Sequence, residues 1–140
     1  ENLPAIAGMV EAMERFITHP VFPASLRGLT QGLVERAEAI EGVRFQGPRG
    51  QRLANTASFT VEGCDSIALL AGLDIEGVCA SSGSACSAGS LEPSHVLRAM
   101  GLPKELANSY VRFSLGREST AQEVSTAAAA LRRVVERIRN

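Results

Sequence analysis

A chain of 140 residues with one lysine, two histidines and no tryptophan is poorly equipped for several kinds of chemistry. Lys104 is the sole lysine, so almost nothing here can form a Schiff base. His19 and His95 are the only imidazoles, which leaves few side chains able to act as a base near neutral pH. Cysteine is scarce as well. Cys64, Cys79 and Cys86, at spacings of 15 and 7, match no metal-ligand template and, being odd in number, no closed disulfide framework. A reducing, cytoplasmic setting without a metal site is the expectation. No apolar run approaches the roughly 18 to 20 residues of a membrane span, and no charged-then-apolar leader opens the chain. An excess of one charge is also lacking. Fourteen basic against 15 acidic residues leave −1, which excludes the basic footprint of a dedicated nucleic-acid binder.

What is present fits one compact domain, with 45% hydrophobic and 21% charged residues. The chain starts at Glu1-Asn2 without an initiator Met, and a piece of something longer is expected. Leu3, Ile6, Val10, Met13 and Ile17 recur at helical steps, with Pro4 at a helix-start position, until His19-Pro20 and Pro23 break the pattern. Leu26, Leu29, Leu33, Ala37 and Ile40 form a second stripe, and Gly42 is placed to end it. Val43 to Phe45 reads as a short strand and Thr56 to Val61 as a half-buried one. Asp65 can cap a helix carrying Ile67, Leu69 and Leu70 that stops near Gly72. Gly77 to Ala80 reads as a short apolar strand leading into ten residues, Ser81 to Ser90, drawn only from Ser, Gly, Ala and Cys. Without anchoring side chains that stretch is expected to be a mobile loop. Pro93 starts a short helix ending at Gly101, and Lys104 follows in a turn. Ser109 to Leu115 alternates, turning Val111, Phe113 and Leu115 inward and Tyr110, Arg112 and Ser114 outward. Thr120 to Glu123 is a capping-box pattern opening a last helix through Val124, Ala128, Leu131, Val135 and Ile138. The fold class is α+β, two layers: a small, mainly antiparallel sheet with helices packed on it in one shared core.

Two residues carry candidate chemistry. Cys86 has small, polar neighbours in an exposed loop, where a reactive thiol is favoured over a buried structural one. Cys79, in the apolar strand, and Cys64, at the start of a helix, read as structural. Arg112, fixed on a strand, can grip a carboxylate with both arms of its fork. A solvated surface arginine is the plainer account of it. His19, His95, Arg117 and the arginines closing the last helix need no ligand to explain them. An enzyme using Cys86, a thiol carrier or redox module, and an interaction domain with an incidental thiol all remain open. A papain-like hydrolase lacks a histidine signature, a thioredoxin-like dithiol lacks C-x-x-C, and the glycines fit no nucleotide motif.

The block Ser81-Ser-Gly-Ser-Ala-Cys-Ser-Ala-Gly-Ser-Leu-Glu-Pro-Ser-His-Val-Leu-Arg-Ala-Met-Gly101, followed by Val111-Arg-Phe-Ser-Leu-Gly-Arg117, resembles the cysteine desulfurases of the NifS/IscS type. These are pyridoxal-phosphate enzymes of the class-V aminotransferase family. Weaker similarity extends over Glu1 to Pro4, Gly42 to Pro48 and Asn55 to Leu70. The resemblance implies that residues 1–140 are the C-terminal small domain, with the large cofactor-binding domain absent. It makes Cys86 the nucleophile that takes sulfur from L-cysteine as a persulfide, releasing alanine, and Arg112 the holder of the substrate carboxylate. It implies no cofactor-binding residue in this chain, because the family's Schiff-base lysine lies in the large domain and Lys104 matches no motif. The parent would be a cytoplasmic homodimer passing sulfur to an acceptor such as an iron–sulfur scaffold. The isolated chain would be inactive and bind no pyridoxal phosphate. A stand-alone sulfur-carrier or interaction domain is the alternative.

Overall fold

Two-residue alternation builds the sheet, and helical stripes cover one side of it. The computed structural model describes residues 1–17, 24–83 and 94–140. In order, these form α1 (Leu3–Phe16), α2 (Ala24–Glu38), β1 (Val43–Phe45), β2 (Thr56–Val61), α3 (Ser66–Ile75), α4 (His95–Ala99), α5 (Lys104–Ala107), β3 (Tyr110–Ser114) and α6 (Ala121–Arg139). The strands pair antiparallel in the order β1-β2-β3, with Phe45 opposite Phe59 and Phe59 opposite Val111. Ala57, Phe59 and Val61 of β2 and Val111 and Phe113 of β3 therefore share one buried face. Onto it pack Leu26, Leu33, Val34 and Ala37 of α2 and Val124, Ala128, Leu131 and Val135 of α6, with Leu69 and Leu73 of α3 beside them. Each such large side chain contributes roughly 1.5 to 3 kcal/mol on burial. Phe59 sits at the centre, edge-on to Phe45 and Phe113 with both centroid separations 6.0 Å.

The caps read from the sequence form. Asp65 accepts hydrogen bonds from the Ile67 and Ala68 amides at 2.8 and 3.3 Å. Thr120 and Glu123 close a reciprocal capping box at the start of α6.

Four expectations are corrected. The helix expected to stop near Gly72 runs to Ile75, because Gly72 is where α3 crosses α6, not where it ends. A Cβ at Gly72 would lie 2.6 Å from a methyl of Val134. Gly77, at φ +76°, ends the helix instead: the Val78 amide donates to Leu73 O at 2.8 Å and the Gly77 amide to Asp74 O at 2.9 Å. Gly77 to Ala80 is accordingly no strand, since part of its backbone is spent on that cap. Lys104 opens the one-turn α5 after Pro103 rather than lying in an irregular turn. Finally, α1 does not join the shared core. Leu3, Ile6, Met9, Val10 and Met13 are all exposed, while the guanidinium of Arg117 lies 4.0 Å over the Phe16 ring.

On the other side of the sheet a smaller apolar cluster of Leu97, Ala107 and Tyr110 places α4 and α5 against it. The expected outward position of Tyr110 is thus right in direction, yet the ring is buried. Its hydroxyl pairs with Ser58 at 2.8 Å.

Candidate functional site: an arginine pinned on an edge strand

Arg112 stands on β3, the edge of the sheet, and faces away from the main core as the alternation requires. Its register partner on β2 is Ser58. In an antiparallel ladder the N–H and C=O of alternate edge residues point away from the neighbouring strand. At Arg112 those groups are taken by Ser81: the Arg112 amide donates to Ser81 O at 2.6 Å, and the Ser81 amide donates to Arg112 O at 3.0 Å. The guanidinium is bound too, its Nη2 donating to Ser81 Oγ at 3.4 Å. Its Nε–H is buried and has no hydrogen-bond partner. Among the described residues Arg112 makes no ion pair. A half-buried, permanently charged fork with an unused donor is suited to an anion brought from outside.

Of the three thiols, the structure describes Cys64 and Cys79. Cys86 and the loop around it fall outside the described residues, as does His19. From Ser81, five residues upstream of Cys86, the described chain continues to Gly83. Cys64 is buried as expected, and burial pushes its thiol up despite the opposing effect of Arg139. Cys79 is exposed, which corrects its reading as a core residue. With no strand at 77–80 to turn it inward, its side chain opens on a cleft of 470 Å³ between Leu115, Glu123 and Ala127. Arg112 does not line that cleft.

The arginines closing α6 are tied into the fold. Arg133 and Arg137 pair with Glu76 at 2.7 and 3.3 Å. Arg139 donates to the carbonyls of Glu41 and Glu62 at 2.8 and 2.6 Å, tying the end of α6 to the turns around β1 and β2. His95 lies exposed in the first turn of α4. Reasoning along the chain missed Ser81 and Ser58 as the surroundings of Arg112. Serine carries no periodic signal, and the partners lie far apart in sequence.

Fold and site define a class: an α+β domain that offers a fixed arginine fork from the edge of a three-stranded sheet. Residues 1–126 match the class-V aminotransferases, and the chain belongs to that family. It is 38% identical over 143 residues to the cysteine desulfurase IscS of Dictyoglomus turgidum, an alignment covering 99% of this chain and 36% of that protein. It is 39% identical over 144 residues to a cysteine desulfurase of a Nostoc species, covering 99% and 35%. The chain thus spans about a third of the length of these curated relatives. Among solved structures, a NifS-like protein superimposes with a TM-score of 0.81 at 25% identity, covering 97% of this chain and 34% of its own. The NifS-like protein of Rickettsia africae gives 0.68 at 28% identity, covering 79% and 28%.

Class-V aminotransferases are generally pyridoxal-phosphate enzymes. The donors of these residues do not fit that group. A Schiff base needs a lysine held in a pocket, and Lys104, the sole lysine, stands exposed in the first turn of α5. No helix of the described residues is long and apolar enough to cross a membrane.

Proposed function

We propose that residues 1–140 are the C-terminal small domain of a cysteine desulfurase, which converts L-cysteine to L-alanine and passes the sulfur to Cys86 as a persulfide. The observation that carries this reading is the state of Arg112: half-buried on an edge strand, bound to Ser81 and left with an unpartnered Nε–H. Its role is to hold the α-carboxylate of cysteine, a planar anion that matches the guanidinium fork. Cys86, a short way along the chain from Ser81, receives the sulfur and carries it to an acceptor protein such as an iron–sulfur scaffold. The large domain supplies the pyridoxal phosphate, and the 140 residues alone are inactive. The apolar stripe of α1, uncovered among the described residues, supports a domain that packs against more protein. A cytoplasmic homodimer completes the reading.

The test uses the full-length enzyme. Arg112→Lys keeps the charge and loses the planar fork. It should lower kcat/KM for cysteine by about 1 to 3 kcal/mol, the scale of a charge-assisted hydrogen bond, and leave the thermal midpoint unchanged. Cys86→Ser should bring sulfide and alanine production to background while cysteine still perturbs the cofactor spectrum. A large loss of stability with unchanged kinetics would make Arg112 a structural residue, and turnover by Cys86→Ser would remove the nucleophile.

A further inference from the structure

The same serine meets Arg112 twice, once through its backbone and once through its hydroxyl. We propose that Ser81 is a positioning residue for Arg112, holding the guanidinium in the orientation that receives the substrate carboxylate. This deepens the carboxylate reading of Arg112 and rests on it.

An arginine side chain has about 2 kcal/mol of rotamer entropy to lose, so a fork on a sheet edge needs something to hold it. No carboxylate among the described residues does so. The nearest hydroxyl on β2, that of Ser58, is already paired with Tyr110 at 2.8 Å. Ser81 is what remains, and its polarity is right. Its hydroxyl hydrogen is donated to Gly83 O at 3.0 Å, which turns the oxygen's lone pairs toward donors. Arg112 Nη2 at 3.4 Å and the Gly83 amide at 3.5 Å occupy them. The paired backbone bonds fix where the two residues sit, since Ser81 and Arg112 are 31 positions apart and no other bridge joins those segments among the described residues. The arrangement leaves Nε–H unspent. The serine thus restrains one arm of the fork without engaging the Nε–H.

The experiment measures KM and kcat for cysteine in the full-length enzyme, with inhibition constants for L-alanine, which bears the carboxylate, and cysteamine, which lacks it. Ser81→Ala should raise KM and the L-alanine constant about three- to tenfold, the scale of one modest hydrogen bond. Values of kcat should stay within about twofold and the cysteamine constant should not move, because neither depends on the carboxylate contact. Ser81→Thr should restore both affinities. Should Ser81→Ala lower the thermal midpoint, the isosteric pair Ser81→Thr and Ser81→Val poses the same contrast. In an Arg112→Lys background Ser81→Ala should add nothing, as expected of two residues acting as one unit. Unchanged KM, equal weakening of L-alanine and cysteamine, or a full additional loss in that background would overturn the assignment. If Arg112→Lys raises KM while Ser81→Ala does not, this proposal alone falls. If Arg112→Lys is silent, the carboxylate reading falls and takes this one with it.

Discussion

Gly72→Ala tests the packing that sets the length of α3. On an exposed helix, alanine in place of glycine is favourable by about 1 kcal/mol. Here the new methyl would sit 2.6 and 3.1 Å from the two methyls of Val134 and 3.3 Å from Nη2 of Arg137. Carbon pairs are at ease near 3.5 to 4.0 Å, so the closest approach is about 1 Å too short. Val134 is fully buried and cannot swing aside, so α3 must shift off α6. That movement also lengthens the Arg137 bonds to Gly72 O and Glu76, now 3.4 and 3.3 Å. Overpacking of this kind costs about 1 to 3 kcal/mol, which outweighs the propensity gain over most of its range. The net expectation is a loss of about 1 kcal/mol. Val134→Ala alone should lose roughly 2 kcal/mol for two buried methyl groups and the space they leave. With Val134→Ala already present, Gly72→Ala should become neutral or stabilising, since the clash is gone. Urea denaturation of the four chains followed by circular dichroism yields the coupling directly. A higher midpoint for Gly72→Ala alone would refute the reasoning, since propensity would then have decided the outcome.

Two further predictions concern groups with identified surroundings. A dilute alkylating agent should modify Cys79 in the native chain well before Cys64, because Cys79 is exposed while burial both shields the Cys64 thiol and pushes it up. Peptide mapping reads the order, denaturant should abolish it, and equal native rates would contradict the burial of Cys64. The carboxyl of Glu76 is held below its usual range, first by the hydrogen bond from Arg133 and further by the charges of Arg133 and Arg137. Its contribution to stability is therefore present above the ordinary glutamate pKa and lost as pH falls through the depressed folded-state value. Glu76→Gln should lower the thermal midpoint at pH 7, with the gap to the parent closing in acid; a gap independent of pH would assign the loss to something other than ionisation.

What the sequence by itself determined is what neighbours along the chain decide. Asp65 caps α3 and Thr120 with Glu123 caps α6 because each cap reaches only two or three residues ahead. Alternation in 56–61 and 110–114 settles which side chains share a face, and so the outward position of Arg112. The motif around Cys86 and Arg112 carries the resemblance to the family without any geometry. Tertiary structure alone decided what meets each face. Amphipathic spacing shows that α1 has an apolar side but not whether this chain covers it, and among the described residues it does not. Gly72 reads as a stop until α6 is seen to need the room. Cys79 reads as buried until its segment proves to be no strand. Ser81 reads as one more loop serine until an edge strand, with outward-facing backbone groups to satisfy, brings Arg112 against it. Periodicity records the side a residue points to. Its partner is set by contacts between segments far apart in the chain.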